Sequence, residues 1–67
     1  MRSTPKQVRR RIERTLARLN FDGIDVAVDD DGNVNLLGAV PSLDERSLVV
    51  AAVKTVAGVI TVTSQLK

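Results

Sequence analysis

Arg10, Arg11, Arg14 and Arg18 are the residues of this 67-residue chain best suited to chemistry with a partner. Spacings of three and four bring these side chains to one side of a helix that turns by about 100° per residue. Four guanidinium groups on one exposed stripe attract anionic lipid headgroups, with about 1 kcal/mol per basic residue near a membrane surface before salt screening. Nucleic acid phosphates could meet the same stripe, with affinity that falls steeply with salt. Nucleic acid is nevertheless disfavoured, because the chain has no aromatic platform for base stacking and no G-x-x-G loop, and the rest of it is acidic. Residues 1–20 hold seven cations against Glu13 as their one acid, a balance of +6, while residues 21–67 hold three cations and seven acids, a balance of −4. The molecule is therefore expected to be a strong electrostatic dipole.

A second cluster, Asp29, Asp30 and Asp31 before Gly32, raises the possibility of calcium, since hard cations prefer grouped carboxylates. Aligning Gly32 with the glycine of an EF-hand loop puts Ala27 at the first ligand position and Gly38 at the twelfth, and neither can coordinate. A solvated turn is the expectation, and no metal site is assigned. Catalysis has little to work with. The chain lacks His and Cys, and Ser3, Ser42, Ser47 and Ser64 have no base supplied by any motif. The expectation is a protein that is not an enzyme and needs no cofactor.

The arginines need a helix to hold them. Thr4, Pro5 and Gln7 predict its start, as N-cap, first helical residue and reciprocal capping-box partner. Val8, Ile12, Leu16 and Leu19 then form a core-facing arc of about 80°. Gly23 is expected to end the segment, with Phe21, the lone aromatic residue, packed beneath the helix end. Alternation of Ile24, Val26 and Val28, and then of Val34, Leu36 and Val40, predicts a β-hairpin with strands near 24–29 and 33–40. Its turn falls on Asp30, Asp31, Gly32 and Asn33, residue types that tolerate positive φ. Gly38, at a core-facing strand position, is expected to let a helix approach closely. Leu36 is expected to point into the interior beside Val34 and Val62.

Pro41 stops the strand, and Ser42 with Glu45 predicts a second capping box, opening a helix from about residue 43 to Val56 or Ala57 that Gly58 caps. Asp44 and Glu45 suit its positive end. Leu48, Val49, Val50, Ala52, Val53, Val56 and Ala57 span about 200° of this helix, wider than one sheet face normally needs. Leu43 and Val50 are the apolar residues expected at its exposed edge, available to a second copy or a neighbouring domain. Val59 to Leu66, rich in β-branched residues, predicts a third strand. The order is αββαβ. A right-handed parallel return through the second helix places both helices on one face of a three-stranded mixed sheet, an α+β two-layer sandwich.

Length sets the scale: residues 1–67 are expected to form a single domain, ordered from about 5 to 66, with aliphatic side chains carrying its stability. The longest apolar run, Leu48 to Val53, is far below the roughly 20 residues of a membrane span. Arg and Lys near the N-terminus are not followed by an apolar stretch, so no cleavable signal is expected.

Gly32 followed by Val34, Leu36, Gly38 and Val40, then Glu45-Arg46, and later Gly58-Val59 with Val62 and Leu66, stand in an order and spacing by which the chain, across Val8 to Leu66, resembles the BON (bacterial osmotic-shock and nodulation) domain family. The resemblance implies an αββαβ fold and a non-catalytic attachment module, often proposed to contact phospholipid, in the bacterial periplasm or cytoplasm at the periphery of a membrane. Potassium recognition, known in one branch of the family, is not assigned from these residues. The combined expectation is attachment to an anionic membrane surface through Arg10, Arg11, Arg14 and Arg18. The alternative is attachment to another protein domain through Leu43 and Val50.

Overall fold

A computed structural model of the chain describes residues 4–21 and 23–66. Helix α1, Pro5–Arg18, starts as its first residues require: Thr4 Oγ1 accepts from the Gln7 amide at 3.2 Å, and Gln7 Oε1 accepts from the Thr4 amide at 3.0 Å. Two otherwise orphaned N–H groups are satisfied reciprocally, and Pro5 occupies a position that needs no N–H. Val8, Ile12 and Leu16 are buried along the inner stripe.

The end of α1 corrects two expectations. Asn20, not Gly23, turns the chain out of the helix, with φ 63, the only non-glycine residue at positive φ among those described. The Phe21 amide donates to Leu16 O at 2.9 Å and the Asn20 amide to Ala17 O at 3.1 Å, the paired bonds of a Schellman ending. That reversal carries Phe21 back against the core, as expected, and leaves Leu19 38% exposed instead of extending the buried stripe.

Strands β1, Ile24–Val28, and β2, Asn33–Gly38, pair antiparallel with Ile24 opposite Gly38 and Val28 opposite Val34. The turn between them is closed by Gly32 N–H donating to Asp29 O at 3.2 Å and Asp29 N–H donating to Asn33 O at 3.1 Å, with Gly32 at φ 87. This is a type I turn followed by one left-handed residue, which favours glycine. Gly32 has a second reason to lack a side chain, since a Cβ there would lie 2.7 Å from Gly58 O. Both strands stop slightly earlier than expected, and Val40 packs on the core from beyond β2.

Gly38 makes room for a strand, contrary to the expectation of a helix. At φ 139, a Cβ on Gly38 would approach Gly23 O to 2.6 Å, so the missing side chain admits the backbone leading into β1.

Helix α2, Leu43–Lys54, is capped by Ser42, whose Oγ accepts from the Glu45 amide at 3.2 Å. Only this half of the expected capping box forms: Glu45 Oε2 has no hydrogen-bond partner. The helix stops at Lys54, short of Val56, because Thr55 Oγ1 donates to Ala52 O at 2.6 Å and the Thr55 and Val56 amides tighten to bonds three residues back. Gly58, at φ 96, therefore shapes the following turn instead of capping the helix. Strand β3, Thr61–Leu66, begins after the Ile60 amide docks on Gly32 O at 2.8 Å.

The sheet order is β1-β2-β3, with β3 parallel to β2. Val34 and Leu36 of the central strand form one buried cluster with Val8, Ile12 and Leu16 of α1, Val49 and Val53 of α2, and Leu66 of β3. Both helices thus cover the face that carries Val34 and Leu36, the expected α+β sandwich. Val62 lies opposite Val34 and is partly buried against the same cluster. Leu36 is fully buried at its centre, so Leu36→Ala is expected to cost about 2–5 kcal/mol. A domain of this size is stable by only about 5–15 kcal/mol, and thermal unfolding followed by circular dichroism should show a large fall in midpoint.

Candidate functional site

Burial of Val8, Ile12 and Leu16 fixes the rotation of α1 about its axis. Arg10, Arg14 and Arg18 then lie roughly 160–240° around the helix from the centre of the buried stripe, pointing away from the sheet. All three are exposed, and none pairs with an acid among the described residues. The one ion pair described on the helix joins Arg9 Nε to Glu13 Oε1 at 3.5 Å, four residues apart and well exposed. Such pairs contribute about 0.3–0.5 kcal/mol, so Arg9 and Glu13 neutralise each other locally while leaving the outer ridge untouched.

Arg11 belongs to different surroundings. It lies on the flank of α1 that faces α2, and its Nη1 donates to Ala57 O at 3.2 Å, just beyond the end of α2. A backbone carbonyl oxygen is an acceptor that suits the N–H donors of a guanidinium. The four arginines therefore divide into a ridge of three and a fourth that ties the two helices together.

The second expected surface is dispersed. Leu43, at the start of α2, is 72% exposed, while Val50 is only half-buried two turns later on the same side. Leu48, 49% exposed, projects from roughly the opposite flank, about 200° from Val50. Ile60, before β3, is 71% exposed and was not singled out by the alternation pattern, because it belongs to the connection and not to the strand. The wide apolar arc thus ends in separate exposed groups on two flanks.

A three-stranded sheet covered on one face by two helices, with a basic first helix, narrows the choice of family, and comparison with known proteins decides it. The BON domain family model matches residues 4–67, from the N-cap of α1 onward. The chain belongs to the BON family. No curated protein matches it. BON domains are lipid- and protein-binding modules, and among the described residues every one classed as buried in this domain is apolar. No helix among the described residues is long and apolar enough to cross a membrane.

On the hairpin of this BON domain, the Asp29 carboxylate is occupied with the turn itself. Asp29 Oδ1 accepts from the amides of Asp31 and Asn33, both at 2.9 Å, and Asp29 Oδ2 accepts from Asn33 Nδ2 at 3.0 Å. Asn33 Oδ1 in turn accepts from Thr61 Oγ1 at 2.6 Å, which ties the hairpin to the start of β3. The backbone bond from Asn33, and next its side-chain amide, hold the Asp29 carboxyl below its ordinary value of 3.8. A carboxylate lowered in the folded state contributes stability above its unfolded value, and that contribution disappears as pH falls through the lower folded value. NMR titration is expected to place Asp29 below 3.8, and Asn33→Ala should raise it. A value at or above the ordinary one in the folded protein would show that the turn network is absent.

Proposed function

We propose that this BON domain is a non-catalytic module that attaches a larger protein to an anionic membrane surface, with Arg10, Arg14 and Arg18 as the contact. The observation that carries this reading is the ridge itself: three exposed cations on the face of α1 turned away from the core, with no described acid to neutralise them. At about 1 kcal/mol each, three such contacts support shallow, reversible binding. Between the arginines the outer face offers Ala17 but no large apolar side chain, so nothing there reaches into the acyl region. Arg11 adds its charge from the flank while holding Ala57. The exposure of Leu43 favours a second reading, attachment to another protein domain along the edge of α2 with Val50.

Vesicle sedimentation separates the two. Replacing Arg10, Arg14 and Arg18 together by Gln should abolish most binding to phosphatidylserine-rich vesicles and leave the unfolding midpoint nearly unchanged, since exposed positions tolerate such changes within about 0.5 kcal/mol. Binding by the unaltered protein should weaken toward physiological salt, where the Debye length is about 8 Å, and neutral vesicles should bind negligibly. Binding that survives both the triple substitution and high salt would exclude this mechanism. Self-association that rises with concentration in sedimentation and is lost in Leu43→Ser would favour the α2 edge instead.

A further inference from the structure

The flank of α1 opposite Arg11 overhangs the free edge of β1, and between them lies an open cleft of about 570 Å³ lined by Pro5, Lys6, Arg9, Val26, Ala27 and Val28. Among the described residues β1 has a strand partner on one side only, because the sheet order is β1-β2-β3. The turn settles which of its backbone groups face outward. Asp29 N–H donates to Asn33 O, so Asp29 and Asn33 form a hydrogen-bonded pair. Along an antiparallel ladder, hydrogen-bonded and non-hydrogen-bonded pairs alternate. Ala27 with Asn35 and Asp25 with Leu37 are therefore bonded across the hairpin, whereas Ile24, Val26 and Val28 aim their N–H and C=O groups away from β2. Among the described residues, no backbone group outside the ladder pairs with Val26 or Val28.

We infer that this cleft accepts an extended acidic peptide segment, which adds as a fourth strand at the edge of β1 beneath Lys6 and Arg9. Val26 and Val28 offer two N–H donors and two C=O acceptors to the incoming backbone, the source of affinity in strand addition. Side chains of an added strand alternate between faces, so every second residue of the peptide points to the helix side, where Lys6 and Arg9 select carboxylates. The Arg9–Glu13 pair is loose and exposed, which leaves the guanidinium able to turn to a peptide carboxylate. A second copy pairing edge to edge through β1 fits less well, because a two-fold axis there would bring Lys6 and Arg9 toward their own counterparts. This inference is independent of the outer arginine ridge, which lies on another side of α1.

The test uses the full chain and acetylated, amidated hexapeptides. One alternates Glu and Val, one alternates Lys and Val, and two are Glu-Val peptides N-methylated on the odd or on the even residues. The Glu-Val peptide should shift the amide resonances of Lys6, Arg9 and residues 24–28 and slow hydrogen exchange at Val26 and Val28. One N-methylated form should lose binding while the other keeps it, because only alternate amides face the edge. The Lys-Val peptide, and the Lys6→Gln/Arg9→Gln variant with the Glu-Val peptide, should each bind at least roughly tenfold more weakly, about 1.4 kcal/mol. The inference is overturned by no binding at millimolar peptide, by equal binding of the two N-methylated forms, or by shifts confined to Arg10, Arg14 and Arg18. Concentration-dependent protection of Val26 in the protein alone would overturn it in favour of a second copy.

Discussion

The inner face of β2 is the constraint on which the rest of the molecule depends. Val34 and Leu36 are almost wholly removed from water, and one three-stranded sheet can exclude water from them only if a second layer covers the same face. Neither helix suffices alone. α1 contributes Val8, Ile12 and Leu16 and α2 contributes Val49 and Val53, so the two lie side by side over one face of the three-stranded sheet. In a chain of 67 residues without Cys, no disulfide supplements this contact. The caps and turns deliver the helices to it: Thr4 and Ser42 start them, Asn20 and Thr55 stop them, and Gly32 seats the connection that leads into β3.

Function is left to the surfaces that this packing does not consume. One stripe of α1 is used for the core, and its remaining circumference divides into three parts with different surroundings. The flank toward α2 is taken by Arg11 and its bond to Ala57, and the flank toward β1 meets a strand edge. The outer side carries cations that no acid among the described residues balances. Asp29 lies on the hairpin, and its carboxylate is consumed by the turn. The fold thus gives its charges different work: the Asp29 carboxylate closes a turn, whereas the outer arginines of α1 pair with no acid among the described residues.

Features that depend on neighbours two to four residues away were legible in the sequence. The Thr4–Gln7 box, the Val8–Ile12–Leu16 stripe and the alternation through Val34 and Leu36 follow from helical and strand periods alone, and the BON resemblance added their order. What was not legible depends on residues distant in sequence. Arg11 sits close to its stripe neighbours on a helical wheel, and only the packing of α2 reveals a partner 46 residues away. Gly38 signals a close approach without saying by what, since that depends on which strand pairs beside it. Asn20 stops α1 in place of Gly23 because burying Phe21 makes the left-handed turn worthwhile there, a tertiary effect that overrides local preference. The cleft at β1 requires knowing that β1 is an edge, and the sequence leaves the strand order open.

The division of α1 bears on how a module this small could serve two proposed partners. Lys6 and Arg9 face the β1 edge, whereas Arg10, Arg14 and Arg18 face outward, so a bound strand and a membrane surface would meet different sides of one helix. Glu13 lies between these groups in the chain but pairs with Arg9, which keeps its negative charge on the cleft side and off the ridge. Over distances comparable to the Debye length of about 8 Å the two basic groups still sense each other. An acidic strand in the cleft would then reduce the positive potential felt at a membrane. Conversely, an anionic surface near the ridge would oppose a second anion in the cleft. Because coupling between two binding equilibria is reciprocal, occupancy of either surface would weaken the other by the same factor, and that factor would shrink with added salt.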